Sequence, residues 1–421
     1  MSSNLKNSLA QKDFVSKFVL SSFFLVPALL LTTNNFSVAV VVGVLLLSSF
    51  MIWKGSKLTL NRFDYLIVGC FCAYFLGAIP VAILDGSTMR YFQGGGRLLL
   101  CLPIYLFLRS YLVQYKSNSL KTLTLGVIVG CFGSLAIAIY QYSYLGMNRV
   151  DGFLFSINFG YLACALTFLA ICLTKHGQLN TWLYLSALAS SIATILTFTR
   201  GAILAIPLLL FFIAILNYKK LSFFKVISIS VLAIVAASLT YSTSSAIQKR
   251  VDYTVNEFSN ISRGNIEKAK SSGGRLQLWK AASYAFMSSP LTGLPYTDRE
   301  ALNRELYKKG EVTKWVLTVG RGHAHSQYFE MLASNGVWGI TSIIAVFLIP
   351  LSVFAHHYFN TASPIAYTAA VFVAGFMIYG LTEAPLQANL IGSFYGFMLA
   401  LFFALVRIEK YPQPPFKGQE L

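Results

Sequence analysis

The chain has 421 residues, of which 56% are hydrophobic and only 11% charged, far from the roughly 25% charged residues of ordinary soluble domains. That composition excludes a soluble enzyme folded around one large core and predicts a polytopic membrane protein. The net charge of +18 does not call for nucleic acid, because Lys and Arg in a membrane chain hold loops on the cytoplasmic side and meet anionic lipid.

Apolar stretches near the ~20 residues needed to cross a bilayer run in chain order over 15–32, 36–53, 64–84, 98–114, 122–142, 154–174, 181–198, 201–217, 223–240, 330–355, 364–382 and 386–406. The expected fold is all-α, with about twelve transmembrane helices. The first stretch lacks a small-residue cleavage site and runs at once into another span, so it reads as a retained helix. Spans seven and eight are separated only by Thr197-Phe198-Thr199-Arg200-Gly201 within a nearly continuous apolar run. Charge argues for that split. With a cytoplasmic N-terminus, sixteen Lys and Arg fall in short inside segments, against four, Arg90, Arg97, Arg149 and Arg200, in short outside loops. Merging the two spans puts every later basic cluster on the wrong side.

The chain therefore divides into membrane helices one to nine over 1–240, a large extracytoplasmic loop over 241–327, helices ten to twelve over 328–406 and a cytoplasmic tail over 407–421. The tail is Pro-rich from Tyr411 to Phe416 and is expected to be disordered. Cys70, Cys72, Cys101, Cys131, Cys164 and Cys172 all lie in apolar stretches. They read as buried small hydrophobes rather than a disulfide framework or metal site.

Within the loop, Ile247, Val251 and Val255 have helical spacing over 245–260. Ser271 to Gly274 interrupt the chain before an amphipathic helix over 276–286, with Arg275 near its first turn. Ser289 to Pro295 is turn chemistry, and a mixed-charge helix follows over about Thr297 to Lys309. His323-Ala324-His325-Ser326 leads into span ten, where Gly336 and Gly339 flank Val-Trp.

Arg275 beside a helix start suits a phosphate, since free N–H groups and the positive dipole end add to the guanidinium. The alternative is pairing with an acid such as Glu267. Arg200, at the outer end of a span, either snorkels to headgroups or supplies a second anion-binding cation. The His323–His325 pair invites three readings: a metal site, structural histidines, or one neutral imidazole serving as a general base. No metal is expected, because Glu330 is the single nearby acid and no Cys accompanies the pair. Glu383, at the outside end of span eleven, can orient an imidazole or pair with an arginine.

Three blocks together resemble the O-antigen ligase family, within the wider group of O-antigen polymerases and protein O-oligosaccharyltransferases. They are Thr197-Phe198-Thr199-Arg200-Gly201-Ala202, Gly274-Arg275-Leu276-Gln277-Leu278-Trp279 and the run from His323 to Gly339. Ser326 stands where that family commonly has Asn after the motif histidine. The resemblance implies a GT-C-like glycosyltransferase in a Gram-negative inner membrane, with its large loop periplasmic. Such an enzyme transfers a polysaccharide from undecaprenyl pyrophosphate to lipid A–core, with no cofactor, metal or nucleotide sugar and no nucleic-acid partner. By matching position, Arg200 and Arg275 bind the donor pyrophosphate and His325 is the catalytic base. Glu383 corresponds to the acid near the end of the penultimate span, and His323, Arg97 and Arg90 are supporting candidates. A polymerase uses the same donor and is the nearest rival. A transporter or flippase predicts mid-span ionisable residues and inverted repeats, and neither is evident here.

Overall fold

A computed structural model describes residues 2–55, 59–86, 89–219, 238, 241–242 and 245–411. Expected span 223–240 and the Pro-rich part of the tail lie outside the described residues. Helices account for the regular structure, and no strand occurs among the described residues. In chain order they are α1 (Ser2–Ala28), α2 (Phe36–Lys54), α3 (Arg62–Gly77), α4 (Ile79–Asp85), α5 (Phe92–Leu100), α6 (Leu102–Ile139), α7 (Ser156–Leu173), α8 (Asn180–Leu196) and α9 (Arg200–Leu216). Then come α10 (Ser245–Ser262), α11 (Ser272–Ser288), α12 (Tyr296–Lys308), α13 (Gln327–Asn335), α14 (Val337–Ile343), α15 (Ile349–Thr361), α16 (Pro364–Tyr379) and α17 (Asn389–Lys410).

Six helical stretches among the described residues are long and apolar enough to cross a bilayer, and α9 and α16 are shorter apolar helices. The chain is a membrane protein. The bundle is organised around α17: 94% of its apolar window is buried inside the protein, against 22% for α2 at the periphery. Exposed Trp53, Phe155 and Met89 are the outward counterpart of that core, as expected where lipid is the solvent. The free cysteines are buried except half-buried Cys72.

Several expected elements take a different form. Spans four and five are two helices joined within α6 at Tyr115, where the backbone leaves helical geometry, rather than through the expected connection over 115–121. Packing shows that α6 is not straight. Tyr111 donates to the Ser16 carbonyl, whereas Gly126 abuts the Phe24 backbone. A straight helix advances ~22 Å over fifteen residues but only ~12 Å over eight, so the two helices cannot match unless α6 bends. Spans seven and eight do separate: α8 ends at Leu196, Phe198 has φ +49°, and α9 starts at Arg200. Span ten starts later than expected. Residues 327–335 form the separate helix α13, and Gly336, with φ 58° and ψ −137°, turns the chain into α14. Only glycine adopts that conformation at low cost, and a Cβ there would meet the Pro290 carbonyl oxygen at 2.4 Å.

Charge is segregated to the two ends of α17. Near its C-terminus Asp64 is fully buried and accepts from Arg407 at 2.7 Å, Arg109 at 2.6 Å and Tyr105 at 2.5 Å. This cluster fastens α3, α6 and α17 together; a carboxylate so buried persists because its partners replace its hydration. Near the α17 N-terminus, Arg97 donates to Asn389 and to the Gln387 carbonyl, which pins α5 to the 385–389 turn. Glu383 lies just before that turn, and Gln327 at the start of α13 is hydrogen-bonded to Leu386 within it.

Candidate active site

The chain leaving the loop passes through three left-handed residues, Arg321 at φ 62°, Gly322 at φ 61° and His325 at φ 45°. A histidine held there is a local strain that surrounding contacts must impose. Those contacts come from the end of α16. The Gln327 amide donates to the Gly380 and Glu383 carbonyls, the Ser326 hydroxyl to Gly380, and the Tyr328 hydroxyl to Met377. Gln327 Oε1 in turn accepts from the Leu386 amide. His325 is thereby laid against Glu383.

The result is an alternating chain of charges. Buried Arg299 on α12 donates to both oxygens of buried Glu330, at 2.9 and 3.2 Å. Glu330 Oε2 lies 3.3 Å from His323 Nδ1. His323 Nε2 lies 3.2 Å from Glu383 Oε1. Glu383 Oε2 lies 3.0 Å from His325 Nδ1. The Ala324 amide also donates to Glu330, at 2.7 Å.

Protonation follows from the partners. A carboxylate only accepts, so His323, with a carboxylate at each ring nitrogen, is an imidazolium. Burial pulls its pKa down, but Glu330 and then Glu383 outweigh burial and hold it at about 9. Burial raises the Glu383 pKa, yet the two histidines bring it well below the usual carboxylate range. Burial likewise works against ionisation of Glu330, and Arg299 and His323 overcome it. His325 differs. Its Nδ1 carries the proton given to Glu383, which leaves Nε2 to accept one in the neutral ring. An imidazole oriented in this way by a carboxylate has the arrangement of a general base.

His323, His325 and Glu383 also offer ligand atoms lying within 4.8 Å of one another. That spacing admits a metal ion. The short carboxylate–imidazole contacts satisfy the same atoms without one.

A cluster of arginines faces this cluster. Gly201, first after Arg200 on α9, packs so closely on Tyr161 and Thr382 that a Cβ would meet both hydroxyls at 2.6 Å. Those hydroxyls are hydrogen-bonded to each other at 2.6 Å. Thr382 precedes Glu383, and Tyr161 lies within electrostatic range of both Glu383 and Arg275. Arg275, in the first turn of α11, is half-buried, and its side chain makes no hydrogen bond or ion pair among the described residues. Its helix is fixed by Trp279 stacking on Phe329 of α13, at 5.2 Å, and by Gly274 lying against the Trp315 ring.

Arg200 has a partner the sequence did not reveal. It donates to Glu257 of α10 at 2.6 Å. Glu257 also accepts from the Ser271 and Ser272 amides, at 2.6 and 3.3 Å. The α11 N-terminus, expected to be open for a phosphate, is thus capped by a carboxylate. Arg149 and Arg250 join the cluster. Burial and then the Arg200 and Arg275 charges lower the Arg149 pKa, while Arg200 and Arg149 act on Arg250 in the same way. Of the supporting candidates, Arg97 is engaged at the 385–389 turn. Exposed Arg90 lies beside Tyr91, Tyr296 and Glu330, on the far side of the charge chain.

Sequence reasoning did not single out Arg299, Glu257, Arg149 or Arg250 as site residues. Arg299 sits on a mixed-charge helix where nothing local separates a buried arginine from its exposed neighbours. Glu257 was readable only as the one acid on α10 at helical spacing from Thr254 and Tyr253.

Residues 185–344 match a family model described as O-antigen ligase. Over this segment the chain is similar to the O-antigen ligase family. It runs from α8 to the turn after α14 and so includes Arg200, Glu257, Arg275, Arg299, His323, His325 and Glu330, while Glu383 and Arg149 lie outside it. The family groups membrane enzymes of glycosyl-transfer type, ligases and polymerases. A relative from Haemophilus influenzae (strain ATCC 51907 / DSM 11121 / KW20 / Rd), described as an uncharacterized protein, is 24% identical over 351 residues, covering 81% of this chain and 85% of the relative.

Proposed function

We propose that the protein is an O-antigen ligase. It transfers a polysaccharide from undecaprenyl pyrophosphate to a hydroxyl of lipid A–core, at the periplasmic face of a Gram-negative inner membrane, with both termini cytoplasmic. The observation that carries this reading is the Glu383–His325 contact, at 3.0 Å, together with Arg275, which like Glu383 acts electrostatically on Tyr161 and whose side chain has no hydrogen-bond or ion-pair partner among the described residues.

In the proposed step, the acceptor oxygen attacks the anomeric carbon while His325 Nε2 takes its proton. The bond from that carbon to the pyrophosphate oxygen breaks, and undecaprenyl pyrophosphate leaves with the bonding pair. One displacement inverts the anomeric centre. The leaving group needs charge stabilisation rather than a strong acid, and arginines supply this with bidentate donors. Glu383 fixes the His325 tautomer and stabilises the imidazolium that forms.

The test is a clean deletion strain complemented with wild-type or His325→Ala protein, with its lipopolysaccharide resolved on a gel. A ligase predicts loss of the high-molecular-weight ladder, intact lipid A–core and accumulation of full-length lipid-linked chains, with no rescue by the variant. Core bearing a single repeat identifies a polymerase. An unchanged ladder sinks both readings, and a product that retains the donor's anomeric configuration sinks the single displacement.

A further inference from the structure

Among the described residues Glu257 is the one carboxylate hydrogen-bonded within the arginine cluster, and the proposed chemistry does not use it. Its side chain is 2% exposed. One oxygen accepts from the Ser271 amide at 2.6 Å; the other accepts from Arg200 at 2.6 Å, from the Ser272 hydroxyl at 3.0 Å and from the Ser272 amide at 3.3 Å. Backbone amides at a helix start together with a guanidinium are the donor set of a phosphate site. Here an internal carboxylate fills it. Burial opposes ionisation of Glu257, but the Ser271 amide and Arg200 bring its pKa to about 2, so it is an anion at every working pH.

A single carboxylate leaves this site electrically unfinished. Tyr253 carries Arg200 and Arg250 over its ring, at 5.5 and 5.6 Å. Arg149 senses the Arg200 and Arg275 charges. Of these four guanidinium groups only Arg200 is hydrogen-bonded to a carboxylate among the described residues, while Arg149 donates to the Thr197 carbonyl and the Thr199 hydroxyl. Two guanidinium nitrogens, Arg200 Nη2 and Arg250 Nε, are buried without a hydrogen-bond partner among the described residues, and a buried charged donor left unmet is costly. Several more anionic oxygens would satisfy them.

We propose that Glu257 is a specificity-determining placeholder, holding the arginine cluster in the unloaded enzyme and yielding it to a diphosphate but not to a monoanion. This inference rests on the reading of Arg200 and Arg275 as the donor pyrophosphate site. A ligand with two or more negative charges and oxygens for Arg200, Arg250 and Arg275 gains more than the Glu257 contacts it displaces. A ligand with one charge only exchanges one anion for another. Glu257 lies on α10, so loading the site also frees that helix from the α11 N-terminus.

The test is calorimetric titration of the full-length purified protein with inorganic pyrophosphate and, separately, acetate. Wild type, Glu257→Gln, Arg200→Ala and Arg275→Ala are compared, each after a thermal-unfolding check of its fold. Gln keeps an oxygen for the Ser271 amide but loses the charge. Glu257→Gln is expected to bind pyrophosphate roughly tenfold more tightly, the gain from removing a competitor that holds the site about ten to one, and to begin binding acetate. If Glu257 only positions Arg200, the same substitution weakens pyrophosphate binding, and that result overturns the placeholder while binding stays sensitive to Arg275→Ala. Pyrophosphate binding indifferent to both arginine variants overturns the pyrophosphate reading itself, and the placeholder with it.

Discussion

Glu383 approaches His325 at Nδ1, 3.0 Å away, while reaching His323 at Nε2 with its other oxygen, 3.2 Å away. One carboxylate thus treats two neighbouring histidines unequally. His323 is fixed as a cation between two acids, and His325 keeps one nitrogen for chemistry. His325→Ala is expected to reduce transfer by about 10²–10⁴-fold. Glu383→Gln, which removes the charge that orients the ring and stabilises its protonated form, should lower kcat by on the order of 10²-fold while leaving the donor KM nearly unchanged. Single-turnover assays with purified lipid-linked donor read both; a wild-type kcat for Glu383→Gln would sink the orienting role.

The pH dependence of stability follows from His323. Its folded pKa of about 9 lies above its unfolded value near 6.5. The stability it contributes is fully present below about pH 6.5 and is lost as pH rises through about 9. The apparent melting temperature should therefore fall between pH 7 and 10, by the equivalent of about 1–3 kcal/mol, and His323→Gln should flatten that fall. Glu330 and Glu383 have depressed pKa values, so their contribution is present above about pH 4.5 and lost as pH falls. A melting curve indifferent to alkaline pH in the wild type would contradict the imidazolium assignment.

The two motif arginines should separate by stability. Arg275 has no internal partner among the described residues, so Arg275→Ala should melt like the wild type yet weaken donor binding by about 10–100-fold, with Lys recovering only part. Arg200→Ala leaves the buried Glu257 carboxylate with only its Ser271 and Ser272 donors, and should cost about 1–3 kcal/mol of stability in addition to activity. Equal melting temperatures for the two variants would remove the distinction.

Arg299 is the buried anchor of the charge chain, 2% exposed and paired with an equally buried Glu330. Arg299→Met should destabilise the protein by about 3–5 kcal/mol by stranding Glu330. It should also lower activity, because Glu330 holds His323 and the Ala324 amide in place. Replacing both partners, as Arg299→Met with Glu330→Leu, should recover part of the stability and none of the activity. Thermal unfolding and turnover measured together decide this.

The ligand atoms of His323, His325 and Glu383 are close enough to attract a metal, so chelation is a direct check. Transfer activity is expected to survive exhaustive EDTA dialysis and not to rise when Zn²⁺, Mn²⁺ or Mg²⁺ is added back. Loss and recovery with one of these ions would replace the general-base reading with a metal-held one.

The sequence by itself determined the class of molecule and most of the loop. Hydropathy is a local property, so spans and the polar stretch are visible without a fold. Helices α10, α11 and α12 follow from local periodicity and turn residues, and the break at Thr197 to Gly201 follows from where the basic residues fall. The break between spans four and five was visible, but not that a single residue, Tyr115, makes it, because a kink has the same hydropathy as a short connection. Nor was the start of span ten, because α13 is apolar enough to extend it until Gly336 turns the chain. Tertiary structure alone decided which charges meet. Arg299 finds Glu330 across 31 residues, Arg200 finds Glu257 across 57, and His325 finds Glu383 across 58. An ion pair depends on three-dimensional distance and on exclusion of water, and neither leaves a periodic trace along the chain. The sequence therefore marked Arg200, Arg275, His323, His325 and Glu383 as candidates, and only the packing of α16 against the loop exit brought the histidines and the carboxylate together.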